Sequence, residues 1–371
     1  MADSAIKKTP LNAAHRALGA RMVEFGGWEM PVQYKGIIEE HNAVRQRVGI
    51  FDTCHMGEFV VQGAGALPLL QYGTTNDVAK LELGQAQYSF MTNERGGVED
   101  DCLVYRFPDH HYVVVNAAPL AADFARLARL ADEQKIGDVL LRNLSDETGK
   151  LDVQGPQAAA LVQQFTDTDL AALRYYYATQ GPVGGVPCRI SRTGYTGEDG
   201  FELFFPIGEV ERMWHLFVQA GAEPCGLGCR DTLRLESSLP LSGSDVAPDP
   251  ARNPVCAGFG RFVRLDKDSD FCGKAALQQF KDAGCAQKLI NFEVTGAGVA
   301  RVHYPIVDPA GQPVGEVTSG APAPSLGKNK NVGMGWVPAA LAEPGTELAV
   351  LIRNQPVAIR VLKRPMYKRG K

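Results

Sequence analysis

After about residue 281 the character of the chain changes. Six short runs, "KLINFEV", "HYPIVD", "VGEVTSG", "VGMGWV", "TELAVLI" and "VAIRVLK", follow one another at close spacing with hardly a helical pattern between them. Strands this short and this close bury their apolar faces by closing on one another, which predicts a small β-barrel or sandwich. The boundary falls near Lys281 to Lys288, so residues 1–280 form one region and residues 281–371 a C-terminal β domain.

The first region alternates between the two periods. In "GIIEEHNAVRQRVG", Ile37, His41, Val44 and Val48 share a helical stripe, and "FDTCHMGEFVVQG" then reads as extended. "HHYVVVNAA" is strand-like, and from Leu120 the positions Phe124, Leu127 and Ala131 follow helical spacing. "KLDVQGPQAAALVQQF" passes from strand to helix through Gly155 and Pro156, with proline suited to a first helical position. "VPCRISRTGYTGEDGFELFF" reads as two strands joined by a Gly-rich connection, followed by a helix whose stripe is Val210, Met213, Trp214 and Phe217. The segment from Leu241 to Pro254 carries three prolines without periodicity and reads as a loop crossing the surface or an interface. The pattern is α+β with hairpins rather than a doubly wound parallel sheet.

Several classes of function are excluded. A formal charge of -4 provides no basic field for nucleic acid or an anionic membrane. No apolar stretch reaches membrane-spanning length, and the start "MADSAIKKTPL" lacks the apolar core of a signal peptide, so a cytoplasmic protein is expected. The eight cysteines are scattered and read as reduced and mostly buried. The histidines lack metal-ligand spacing and read individually as structural or surface residues, and no metal is expected. Phosphate-loop and Gly-x-Ser-x-Gly motifs are missing, and "CGLGCRD" lacks the third glycine of a dinucleotide loop.

What remains is a density of special residues in two hairpin-like segments. In "GGVEDDCLVYRF", Asp100 and Asp101 begin a strand, where neighbouring side chains point to opposite faces. One acid therefore points inward, and there it must be hydrogen-bonded by the protein or meet a ligand that donates to it. In "GFELFF", alternation aims Glu202 with Phe204 and Pro206 to one face and the other apolar residues to the opposite face. Such a glutamate marks either a solvated strand face or a site for a planar ligand with two adjacent N–H donors.

These residues also carry a resemblance. "TPLNAAHRALGARMVEFGGWEMPVQY", "FDTCHMGEF", "GGVEDDCLVYRF", "VVNAA", "QGPQA", "SRTGYTGEDGFEL", "GLGCRDTLRLE" and "GEVTSG" resemble, in order and spacing, the glycine cleavage T-protein family of tetrahydrofolate-dependent aminomethyltransferases. The resemblance runs from about Thr9 to the C-terminus. It implies a three-domain cloverleaf around a central folate channel, two interwoven α+β domains plus the C-terminal barrel. It also implies transfer of the one-carbon unit from the aminomethyl-lipoyl arm of H-protein to tetrahydrofolate. By the same resemblance Asp101 is the catalytic carboxylate, facing inward with Asp100 outward, and Glu202 grips the pterin.

Four further positions belong to the implied folate site, each with a plainer structural alternative. Tyr88 and Tyr195 would close over the pterin or sit in the core, and Asn116 would supply an amide or fix a turn. Arg230 would reach the folate tail or lipoyl arm, or pair with Asp231 or Glu236. The chain departs from the family pattern at Ser242, Arg261, Pro119 and Ala323. The first two bear on the carbon donor, and they leave open a tetrahydrofolate-dependent demethylase acting on dimethylsulfoniopropionate or an N-methyl substrate. A folate-binding protein without turnover is the third reading; the retained Asp101 speaks against it.

Overall fold

The computed structural model describes residues 6–370, so Met1 to Ala5, part of the start considered above, lie outside the described residues. The chain divides into two compact units interleaved in sequence. The first comprises residues 1–69, 78–87 and 102–230, and the second residues 70–77, 88–101 and 231–371.

In the first unit a six-stranded sheet runs in the order Ala178–Val183, Val186–Ser191, Gly200–Pro206, Thr148–Gln154, Gly49–Asp52 and Glu223–Pro224. One face is apolar because alternation aims Leu151, Val153, Phe201, Leu203 and Phe205 to the same side. The helices Ala158–Gln163 and Val210–Gln219 cover it, the second through the stripe Val210, Met213, Trp214 and Phe217 expected from its spacing. Beneath this face His15, fully buried, bonds Asp52 at 2.9 Å and Tyr34 at 2.8 Å, and Thr9 donates to Asp52 at 2.6 Å. Burial pushes the Asp52 carboxyl up, but the His15 and Thr9 contacts outweigh it and hold it low. His15 is thus the satisfied structural residue expected.

The opposite face of the sheet is polar yet closed to water: Lys150, Asp152 and Gln154 are fully buried. A further antiparallel ladder pairs Cys102–Arg106 with His111–Val115, which in turn pairs with Gly57–Val61. Pro156 stands in a turn, and the helix that follows begins two residues later at Ala158. The expected first-position proline is therefore a turn proline.

In the second unit the C-terminal barrel is closed, in the order Gln287–Val294, Asn331–Pro338, Pro313–Pro322, Pro305–Val307, Glu347–Ile352 and Gln355–Leu362. The last strand returns to the first through pairs such as Phe292 with Val361. Alternation sends Ile290, Phe292, Val294, Ile359 and Val361 into one core, while Leu289, Met334 and Trp336 pack on Phe259, Phe271 and Leu277. The α+β class and the barrel are as the sequence implies.

The segment from Leu241 to Pro254 is largely loop, as read, and it is anchored: Asp245 is fully buried, ion-paired with Arg234 at 2.7 Å and bonded by Thr318 at 2.6 Å and Ser319 at 2.8 Å. One expectation is corrected. The cysteines are not all reduced, for Cys256 and Cys285 form a disulfide, their Cα atoms 5.5 Å apart across 29 residues. The remaining six form no disulfide and are buried.

Gly155 shows how tightly the sheet meets the Ile37–Gln46 helix. Its φ is +131°, and a Cβ there would lie 2.5 Å from the Arg47 carbonyl oxygen and 2.6 Å from that of Val44. Gly155→Ala should therefore lower unfolding free energy by about 2 kcal/mol or more in urea titrations, whereas Gly221→Ala, whose Cβ would meet nothing within 4 Å, should cost less.

Candidate active site

On the polar face of the six-stranded sheet two carboxylates oppose each other, because the register pairs Asp152 directly with Glu202. Facing like charges across an antiparallel pair are repulsive, the more so out of water. Lys150, two residues before Asp152 and on the same face, resolves the conflict. Its Nζ lies 2.7 Å from Asp152 Oδ1 and 2.5 Å from Glu202 Oε1, and it donates to Thr53 Oγ1 at 3.2 Å. Arg230 Nη1 donates to the other Asp152 oxygen at 2.8 Å. Thr193, from the Gly-rich connection, donates to Glu202 Oε2.

The charges set one another. Burial lowers the Lys150 ammonium, but Asp152 and Glu202 outweigh it and raise the net value. Burial raises Asp152, but Lys150 and Arg230 outweigh that and hold the carboxyl low. Side-chain exposure rises from nil at Lys150 and Asp152 to 6% at Glu202 and 14% at Arg230, so the last two form the outer end. The Arg230 guanidinium also lies over the Tyr195 ring at 5.1 Å. Gly194 is a glycine because the Gln154 amide oxygen comes within 2.0 Å of where a Cβ would be.

The cluster is flanked by buried polar atoms with no hydrogen-bond partner among the described residues, His55 Nδ1 and Glu58 Oε1. Burial pushes the Glu58 carboxyl well above its usual range. Burial likewise lowers His55 to about 4, with Arg230 and Lys150 adding to it against Asp52 and Asp152. His55 is thus not the satisfied histidine expected.

The second unit holds the other predicted acid. Asp101 is half-buried and accepts a hydrogen bond from the Tyr88 hydroxyl at 2.5 Å. The Tyr88 ring is fixed edge-on by Phe90 at 5.1 Å and Phe262 at 4.8 Å, so its hydroxyl is held by packing. The neighbour Arg261 is exposed and lies over the Phe262 ring at 4.5 Å. Asp100, expected to face outward, is instead fully buried. It alternates with Val98 and Cys102 on the closed face of its strand, and alternation alone cannot say which face is covered.

Of the predicted residues, Glu202, Arg230 and Tyr195 stand in one network and Asp101 with Tyr88 in another. Asn116 follows the His111–Val115 strand, half-buried. Glu202 does not mark a solvated strand face: it is buried at the outer end of the cluster and held by Lys150 and Thr193. Arg230 pairs with Asp152 rather than Asp231 or Glu236. Sequence reasoning missed Lys150, Asp152 and Thr193. The available signal was "KLD", two opposite charges at strand spacing in an otherwise apolar run.

A family model described as the GCVT N-terminal domain matches residues 11–267, and one described as the glycine cleavage T-protein C-terminal barrel domain matches residues 287–368. The chain belongs to the glycine cleavage T-protein family. It is 46% identical over 369 residues to an aminomethyltransferase of Desulfitobacterium hafniense, covering 98% of this chain and 99% of that one. It is 45% identical over 372 residues to one of Geobacillus thermodenitrificans, covering 99% and 100%. The crystal structure of the glycine cleavage system aminomethyltransferase T from Bartonella henselae superposes with a TM-score of 0.90 at 32% identity, covering 98% of this chain and 99% of that one. Membership of this family makes the chain an enzyme of the aminomethyltransferase class.

His55 generates a pH prediction. Its folded value near 4 lies below the ordinary 6.5, so the fold favours neutral imidazole; that stability is complete above pH 6.5 and is lost as pH falls toward 4. In urea titrations from pH 7 to 4 the wild type should lose about 1.4 kcal/mol per pH unit more than His55→Gln within that window. Parallel curves for the two proteins would show that His55 binds its proton equally well folded and unfolded.

Proposed function

We propose that this chain transfers the one-carbon unit from the aminomethyl-lipoyl arm of H-protein to tetrahydrofolate, releasing ammonia and giving 5,10-methylenetetrahydrofolate. The carbon–sulfur and carbon–nitrogen bonds of the donor break, and the carbon becomes bonded to N5 and N10 of the folate. The protons leaving those nitrogens are accounted for by the restored lipoyl thiol and by ammonium. No protein nucleophile is needed, because the folate nitrogen attacks.

The protein's task is orientation and electrostatics. Asp101 provides negative charge where iminium or ammonium character develops, and Tyr88 aims its carboxylate. Glu202 and Arg230, the outer end of the polar cluster, hold the pterin, with Tyr195 beneath the guanidinium and Asn116 contributing an amide. The unpartnered His55 and Glu58 atoms suit a ligand rich in ring N–H and carbonyl groups. The observation carrying the proposal is the Tyr88-oriented carboxylate of Asp101, half-buried in a chain of this family.

The deciding experiment offers tetrahydrofolate with either aminomethyl-loaded H-protein or dimethylsulfoniopropionate. Ammonia and methylenetetrahydrofolate formed with the H-protein alone are expected; methyl transfer from the sulfonium would overturn the proposal in favour of a demethylase. Asp101→Asn should lower kcat by a hundredfold or more with folate affinity changed less than threefold, because the lost interaction belongs to the transition state. Glu202→Gln should do the reverse, weakening folate binding roughly tenfold or more with the smaller effect on kcat.

A further inference from the structure

Lys150 is a buried ammonium for which the proposed reaction has no direct use. It is fully buried, and the charged and titratable groups around it come from every neighbouring element. These are Asp152 on its own strand, Glu202 on the next, Arg230 on the Leu227–Glu236 helix, Asp52 on the Gly49–Asp52 strand, Cys54 and His55 in the segment after it and Glu58 on the Gly57–Gln62 strand. Asp52 is already held by His15 and Thr9, and Glu58 is held toward its neutral form by burial. What Lys150 governs is therefore the facing pair Asp152 and Glu202, which it bridges while Arg230 takes the far oxygen of Asp152. Two cations and two carboxylates make the cluster neutral.

We propose that Lys150 is a positioning residue for the acceptor substrate: by bridging Asp152 and Glu202 it fixes the Glu202 carboxylate and cancels the charge of the cluster, which thereby selects a neutral N–H edge over a cationic group. This rests on the reading that Glu202 meets the pterin. Glu202 keeps acceptor capacity for that role, because among the described residues Lys150 meets one of its oxygens and Thr193 the other, and a carboxylate oxygen accepts more than one hydrogen bond. A carboxylate whose countercharge is already present draws little on the charge of a ligand and discriminates by donor geometry.

The test measures tetrahydrofolate dissociation constants from pH 6 to 9 for the wild type, Lys150→Met, Glu202→Gln and the double variant. Wild-type affinity is expected to be level across the range. In Lys150→Met the carboxylate pair, short of one cation, takes up a proton shared between its members. Affinity should then fall roughly tenfold or more and drop further toward pH 6. Because Lys150 acts through Glu202, adding Lys150→Met to Glu202→Gln should change affinity less than threefold. If Lys150→Met proves too unstable to measure, that last comparison decides alone, since the double variant restores charge balance. A further tenfold loss in the double variant, or a Lys150→Met protein that binds like the wild type at every pH, would overturn the inference. Failure of the wild type to bind tetrahydrofolate would instead sink the reading of the site, so the two failures are distinguishable.

Discussion

The polar face of the first unit depends on one ammonium between two opposed carboxylates. The register that sets Asp152 against Glu202 also sets Leu151 against Leu203 and Val153 against Phe201 on the reverse face, where they join the core with Trp214 and Phe217. A slip of one residue would relieve the carboxylates and turn the whole apolar set outward. The apolar face thus fixes the pairing, and the pairing forces the charges together. Lys150 is then the group that lets the sheet close, and Arg230 and Thr193 satisfy the oxygens it does not reach.

Such a network is a poor source of stability. Removing four charged side chains from water costs several kcal/mol per ion, and the attraction among them does little better than offset it. The stabilising work lies elsewhere, in the buried aromatic and aliphatic side chains under the Val210–Gln219 helix and inside the barrel. What the network provides is fixed direction. Side chains bonded at both ends, as Glu202 and Asp152 are, cannot rotate to suit an arriving ligand, so binding costs them little ordering entropy.

How much of this was legible in the sequence follows from the range of each interaction. The stripe of the Val210–Gln219 helix and the succession of barrel strands are local periodicities, and both appear as read. Glu202 opposite the apolar face of its strand was likewise a matter of alternation. The misses are long-range. Alternation says that Asp100 and Asp101 differ, but which of them is closed off depends on what covers the strand, and the burial proved opposite for Asp100. Nothing local announces that Asp245 will bond Thr318 and Ser319, that Cys256 will meet Cys285, or that Lys150 in "KLD" is a buried bridge rather than a solvated strand face.

These misses separate into two kinds. Asp245 and the disulfide tie the chain before the barrel to residues within or just ahead of it, and they obey ordinary rules of packing and satisfaction once the fold is known. Lys150, Asp152, Glu58 and Asp100 are of another kind, for each places an ionisable group at a fully buried strand position, where an apolar residue is the usual occupant. Conflict between local pattern and global burial is disfavoured in a foldable sequence unless something else retains it. In this chain the Lys150 and Asp152 conflicts answer each other, because a spacing of two residues sets ammonium and carboxylate side by side on one strand face, 2.7 Å apart, so what each costs alone the pair largely offsets.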